Sequence, residues 1–323
     1  MNTLWKNFLL AEQAVFKNDE SIVFPGVQSG NEKRIYPIAH LGVLSITGKD
    51  AGTLLQGQIT CNVHEVTEHK AKLAAMCNAK GRVVTTFLLL KNKEGFLLVL
   101  PKALLDSVKK RLQMYVLRSV VTLTDSSDTL CLIGLTTPDV TQTQQFDSQG
   151  QALICVQMSA LENRQLLVAD TDQAMAVWSH YVADQGFHPD NSDVWRYLDM
   201  MSGIPWLDLE TSEEYIPQML NIDKLGGISF NKGCYTGQEI VARTHYLGKA
   251  KRALFIAQSD SSLVPAANAP VFDDSTDNTQ AVGSVLSALQ GQDNCTMLVV
   301  LNISETTPSR LTLADQTPLA LLV

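Results

Sequence analysis

Two rhythms of apolar and polar positions alternate along this chain. Ala39 to Ser45 is a short apolar run of β type, and Gly48-Lys49-Asp50 follows as a turn. Asp50 is placed to cap a helix whose apolar face holds Leu54 and Leu55. Leu73 to Cys77 and Val83 to Leu90 read as strands joined by Asn78-Ala79-Lys80-Gly81, a glycine-bearing connection of hairpin length. Gly95 to Leu100 is a further strand. Pro101 then opens a helix carrying Leu104, Leu105, Val108, Leu112, Tyr115 and Val116 at helical spacing, and Ser119 to Thr124 returns as a strand.

The same alternation follows a second time. Thr129 to Leu135 and Gln165 to Ala169 are strand-like, Asp172 to Ala183 is helical, and Asn191 to Met201 reads as a capped helix with Trp195, Tyr197, Leu198 and Met201. The two stretches look like a loose duplication of an α+β unit. From Ala253 the texture changes to short β-type runs (Leu254 to Ala257, Val282 to Leu286, Thr296 to Leu301, Leu319 to Val323), which predicts a small all-β module. Ser259 to Asn278 is polar and proline-bearing and reads as loop.

A length of 323 residues suits two or three packed units. The net charge of -8 disfavours a general nucleic-acid or anionic-membrane binder, leaving room only for a local basic face. Met1 to Leu10 lacks the pattern of a secretory signal, and no apolar run is long enough to cross a bilayer, so a cytoplasmic protein is expected. The six cysteines are Cys61, Cys77, Cys131, Cys155, Cys234 and Cys295. They form no CxxC pair, which points to reduced thiols rather than a zinc ribbon or a thioredoxin-like site.

Chemistry concentrates in Ile228 to Arg243, ISFNKGCYTGQEIVAR. Gly233 and Gly237 frame Cys234 and Tyr235, with Lys232 before them and Gln238-Glu239 after. A helix starting at Thr236 or Gly237 would put its positive end beside Cys234; together with Lys232 this favours thiolate. No histidine lies close in sequence, since His245 is eleven residues on, so a Cys–His nucleophile pair is not indicated. Between Lys224 and Arg252, six basic residues (Lys224, Lys232, Arg243, Lys249, Lys251, Arg252) face one acidic residue, Glu239. Such a strip suits an anionic ligand, a polyglutamate tail or a phosphate backbone, or is a solvated face. Trp195 with Arg196 beside it could stack on a flat heteroaromatic ring while the cation meets a carboxylate; a core tryptophan is the plainer reading.

The run Lys232 to Glu239 resembles the KGCYxGQE motif of the YgfZ family, folate-binding proteins related to the glycine-cleavage T-protein, an aminomethyltransferase. Ile46 to Ala51, Leu55-Gln56-Gly57-Gln58, Cys77 to Arg82 and Tyr215-Ile216-Pro217-Gln218 are similar as well, so the resemblance spans nearly the whole chain. It implies an α+β fold of duplicated ferredoxin-like, T-protein-like folate-binding units around a central opening. Residues 1–248 would form that region and residues 249–323 a C-terminal β-barrel. It further implies an accessory role in making or repairing iron–sulfur proteins, which supports tRNA thiolation. Tetrahydrofolate or another folate would be the ligand. Iron–sulfur client enzymes would be partners, with transient iron–sulfur contact, and tRNA a further possible partner.

Under the resemblance Cys234 is the functional thiol. Lys232, Gly233, Tyr235, Gly237, Gln238, Glu239 and Arg243 complete its motif, and Trp195, Leu41, Arg196 and Met201 are the folate-side positions. Thr85-Thr86 stand where the T-protein carries a catalytic aspartate pair, so aminomethyl transfer is not expected of a hydroxyl pair. Met201 stands where many relatives have a glutamate, and Leu41 where some have a tryptophan.

Overall fold

The structure, a computed structural model, describes residues 1–27, 33–139, 143–159, 163–275, 280–291, 293–303 and 310–322. The chain divides into two compact units, each assembled from separated stretches. The first comprises Met1–Gln56, Asn62–Leu73 and Phe87–Arg196; the second comprises Gly57–Cys61, Ala74–Thr86 and Tyr197–Val323.

In the first unit a six-stranded sheet runs in the order Ser148–Gln149, Ile154–Gln157, Asn163–Asp170, Leu130–Thr137, Arg34–Pro37, His188–Pro189. The strands around Leu130–Thr137 and Asn163–Asp170 arise where the apolar pattern places them. Arg34–Pro37 is contributed from the start of the chain and pairs antiparallel with Leu130–Thr137, so the second α+β unit is not built from its own stretch alone. Helix α1 (Thr3–Ala11) is capped by Asn2, whose side-chain oxygen accepts from Leu4 N at 2.7 Å. It buries Trp5 and Leu9, and Trp5 meets Trp178 edge-on at 5.7 Å.

The expected turn and hairpin elements are present as helix α2 (Ala51–Gln56) and the strands Lys72–Cys77 and Val83–Lys91. These strands join Gly95–Pro101, Leu41–Thr47 and Thr122–Asp125 in a five-stranded sheet in that order. Helix α3 (Lys102–Val116) turns Leu104, Leu105, Val108, Leu112 and Val116 inward, as its spacing predicts; Tyr115 stays exposed. Asp50 immediately precedes α2 and its carbonyl accepts from Leu54 N at 2.9 Å, while its carboxylate accepts from Val120 N at 2.7 Å; the strand expected from Ser119 runs Thr122–Asp125. Helix α4 (Thr171–Ala183) is capped by Asp170, which accepts from Gln173 N at 2.8 Å. Helix α5 (Ser192–Met201) falls within the expected stretch Asn191 to Met201, the Asn191 side-chain oxygen accepting from Phe24 N at 2.7 Å, and the boundary between units falls after its Arg196.

The second unit ends in a closed barrel in the order Arg252–Ser259, Cys295–Asn302, Gly283–Gln290, Pro270–Asp273, Leu311–Leu313, Pro318–Leu322. Closure comes from Arg252–Ser259 pairing with Pro318–Leu322, Ala257 opposite Leu321, which removes both sheet edges. Cys295, Met297, Val299 and Leu301 alternate into its core with Ala257, Val271 and Val285. One strand, Pro270–Asp273, lies inside the stretch Ser259 to Asn278 expected as loop. It is four residues long and held by partners at Leu311–Leu313 and Gly283–Ser284, far off in sequence. Residues 276–279 of that stretch and Val323 of the last expected strand lie outside the described residues.

Candidate functional site

The Asn78–Gly81 hairpin is set by local chemistry. Asn78 Oδ1 accepts from the backbone N–H groups of Lys80 (2.9 Å) and Arg82 (3.0 Å), and Gly81 supplies φ +70°. This turn packs on the start of helix α6 (Gln238–Tyr246). A Cβ on Gly81 would stand 2.8 Å from Ile240 Cβ, and one on Gly237 would stand 2.5 Å from the Asn78 carbonyl oxygen. Gly237 also has φ +84° at the helix N-cap, so two conditions exclude a side chain there. The helix begins at Gln238, one residue after the expected window, and carries Glu239 in its first turn, where a carboxylate complements the dipole.

The segment Gly57–Cys61 is the template on which the cysteine loop is laid. Thr60 Oγ1 donates to the Gly227 carbonyl at 2.7 Å, Ser229 N donates to the Thr60 carbonyl at 2.9 Å, and Thr236 N donates to the Gly57 carbonyl at 3.1 Å. Thr236 Oγ1 donates to Gln58 Oε1 at 3.1 Å. Lys232 is buried, and its Nζ donates to the carbonyls of Ile59 and Cys61, both at 2.8 Å, with the ring of Tyr235 at 5.0 Å. Its ammonium is therefore tied to two backbone acceptors. Burial lowers its pKa to about 8. Tyr235 is buried, and desolvation pushes its phenol up.

Between these two anchored side chains stand Gly233 and Cys234, both exposed. Cys61, Cys77, Cys131 and Cys295 are buried, Cys155 is half-buried, and Cys234 alone is exposed among the cysteines. Gln218 supports α6 from below by donating Nε2 to the Val241 carbonyl at 2.7 Å, which explains why Tyr215 to Gln218 accompanies the motif. Tyr215 OH reaches Asn268 Oδ1 (3.1 Å) and Ser284 Oγ (2.9 Å). Gln238 is half-buried, and Arg243 is exposed in the last turn of α6.

Desolvation of three thiols predicts a fold that loses stability in alkali. Burial pushes Cys77 up to about 12, and Cys131 and Cys155 to about 11, from an ordinary 9.0. Above pH 9 the unfolded chain releases protons that the folded chain keeps, so stability falls as pH rises. The Cys77 share of that loss is about 2 kcal/mol by pH 10.5. Lys232 works in the opposite sense, adding stability as pH rises from about 8 toward 10.5, and offsets part of it. Urea midpoints at pH 8 and pH 10.5 should therefore separate widely in the wild type and less in Cys77→Ala; an equal separation in both would contradict this assignment.

The folate-side positions are differently placed. Trp195 is wholly buried, and a Cβ on Gly134 would stand 2.2 Å from its ring. The Arg164 guanidinium lies 4.9 Å from its centroid, and Tyr36 packs at 5.7 Å. Its Nε1 has no hydrogen-bond partner. As placed it is a core residue, without a free face for stacking. Leu41 is buried at the start of its strand; Arg196 is 38 % exposed and pairs with Asp193 at 3.8 Å. Met201 is exposed and belongs to the second unit. His40 is fully buried, with both ring nitrogens unpartnered and its pKa pushed well below the ordinary value by burial and then by Arg196.

Thr85 and Thr86 are fully buried, and their hydroxyls donate to the backbone carbonyls of Thr86 and Pro205. No carboxylate stands at either position. One carboxylate escaped the sequence reading: Asp199 is wholly buried and accepts from Trp206 Nε1 at 2.7 Å. Its signal was an acidic residue four positions after Trp195, on the same face of α5. Among the described residues no group of three or more His, Cys, Asp or Glu side chains is placed to hold a metal ion.

The GCVT N-terminal domain family matches residues 31–188. Curated relatives named tRNA-modifying protein YgfZ match most of the chain. That of Colwellia psychrerythraea is 30% identical over 289 residues, covering 86% of this chain and 88% of the relative. That of Yersinia pseudotuberculosis serotype IB is 32% identical over 280 residues, covering 83% and 84%. The chain belongs to the YgfZ family. Its fold is that of a T-protein: the crystal structure of the glycine cleavage system aminomethyltransferase T from Bartonella henselae superposes with a TM-score of 0.68 at 12% identity, over 90% of this chain and 84% of that one. In this YgfZ-family chain the cysteine loop lies outside the GCVT-matched residues, in the second unit. No helix among the described residues is long and apolar enough to cross a membrane.

Proposed function

We propose that this chain is a cytoplasmic, folate-binding accessory protein for the biogenesis or repair of iron–sulfur proteins, through which it supports tRNA thiolation, with Cys234 as its working thiol. The observation that carries the reading is Cys234 itself: an exposed thiol on a loop whose neighbours Lys232 and Tyr235 are buried and tied down. Such a thiol, as thiolate, attacks a disulfide or persulfide sulfur, forming one S–S bond and expelling one thiolate. It can equally lend a single ligand to iron in transit to a client.

The fold and the relatives' name support the folate and tRNA parts of the reading. The expected pterin platform does not fit as placed, because Trp195 has no free face and Leu41 is buried. Aminomethyl transfer is disfavoured, since Thr85 and Thr86 supply no base.

The test is complementation of a strain lacking its own YgfZ, reading thiolated nucleosides in bulk tRNA. Wild type should restore them, while Cys234→Ser and Cys234→Ala should leave them at the deletion level with unchanged protein abundance. Full restoration by Cys234→Ser would remove the thiol from the mechanism.

A further inference from the structure

The C-terminal end of α6 borders a cleft of about 870 Å³ that lies wholly within the second unit. Lys224, Lys249, Lys251 and Arg252 line it, against a single acidic side chain, Asp223. The rest of the chain is acidic enough to bring the net charge to -8, so this cleft concentrates positive charge against the prevailing field. Arg252 is held in place by its Nε donating to Asn302 Oδ1 at 3.0 Å, and the three lysines are exposed.

Charge alone describes a solvated face. A further feature narrows it. His245 lines the cleft and stacks on Phe230, with ring centroids 3.7 Å apart and planes 13° off parallel. Tyr246 stands edge-on to both at 4.8 and 6.1 Å and is 64% exposed. Exposed aromatic rings beside cations are the usual platform for unpaired bases, because every base offers a π-face. Gln218 and Asn221 each donate their amide N–H to a backbone carbonyl, of Val241 and Leu254, which holds these two lining side chains in place.

We propose that this cleft docks an unpaired stretch of RNA, its phosphates on Lys224, Lys249, Lys251 and Arg252 and a base against His245 and Tyr246. The inference deepens the tRNA reading above and rests on it. The nine-residue helix α6 has the cleft at its C-terminal end and follows the Cys234 loop at its N-terminal end, a span of about 13 Å.

The experiment is fluorescence anisotropy of labelled RNA decamers with the full-length protein, in 50 to 200 mM salt. Oligo-A and oligo-C should bind, with affinity falling as salt rises; oligo-U, whose base stacks more weakly than adenine, should bind more weakly than oligo-A. The double variant Lys249→Ala/Lys251→Ala should reduce the log–log salt slope by about 1.4, at about 0.7 per phosphate contact on a single strand. His245→Ala and Tyr246→Ala should each weaken oligo-A on the order of tenfold; Tyr246→Ala serves if loss of the Phe230 stack harms folding, which circular dichroism checks. No binding at 50 mM salt would overturn the proposal. So would heparin matching the decamers with no effect of the aromatic variants, which would mean a polyanion patch only. These measurements do not touch Cys234, so RNA docking and the thiol reading can fail separately.

Discussion

Trp195→Ala should unfold this protein rather than merely weaken a ligand. The ring is wholly buried, so truncation removes its packing on Tyr36 and Arg164 and leaves Gly134 facing a void. Deletions of this size cost about 3–5 kcal/mol, a large fraction of the margin of an ordinary domain. Urea unfolding should show a midpoint well below wild type, with Trp195→Phe recovering much of it. An unchanged midpoint combined with lost tetrahydrofolate binding would restore Trp195 to the ligand.

Gly237→Val should be nearly as damaging, and for a different reason. A side chain at φ +84° is strained, and its Cβ would overlap the Asn78 carbonyl oxygen at 2.5 Å. Left-handed backbone and overpacking together cost about 2–5 kcal/mol. The hairpin and the start of α6 must separate to admit it, so the variant should lose thermal stability and, with it, Cys234 function. Gly233→Ala is the matched control: nothing lies within 4 Å of its Cβ position. Its stability should stay within about 0.5 kcal/mol of wild type. Equal tolerance at both glycines would show that the hairpin contact does not hold the loop.

What could be read from the sequence was what local chemistry dictates. The hairpin at Asn78–Gly81 carries its own turn residues, and α3 and α4 repeat apolar positions at helical spacing, so they stand where the pattern places them. Arg34–Pro37 and Pro270–Asp273 were not legible, because each is four residues long and exists only through partners far away in sequence. Helix α1 was missed because Leu4 and Leu10, prominent in its sequence, face solvent.

The site divides in the same way. The glycines framing the cysteine were visible, but only Gly237 is constrained by its surroundings, since nothing lies within 4 Å of a Cβ on Gly233. The role of Lys232 was not visible, since the carbonyls that it serves lie 171 and 173 residues away. A lone tryptophan on an amphipathic helix looks the same whether it meets a ligand or a core; only Gly134 and Arg164 decide for Trp195.

The proposed function rests on one exposed thiol, Cys234. Brief treatment of the native protein with a thiol-specific alkylating reagent, followed by mass-spectrometric quantification at each cysteine, tests it most directly when the alkylated protein is then assayed for support of tRNA thiolation in a deletion extract. Cys234 should be modified first, the four buried cysteines should stay unmodified until the fold is opened, and activity should fall in step with Cys234 occupancy. Full activity with Cys234 completely alkylated would contradict the account.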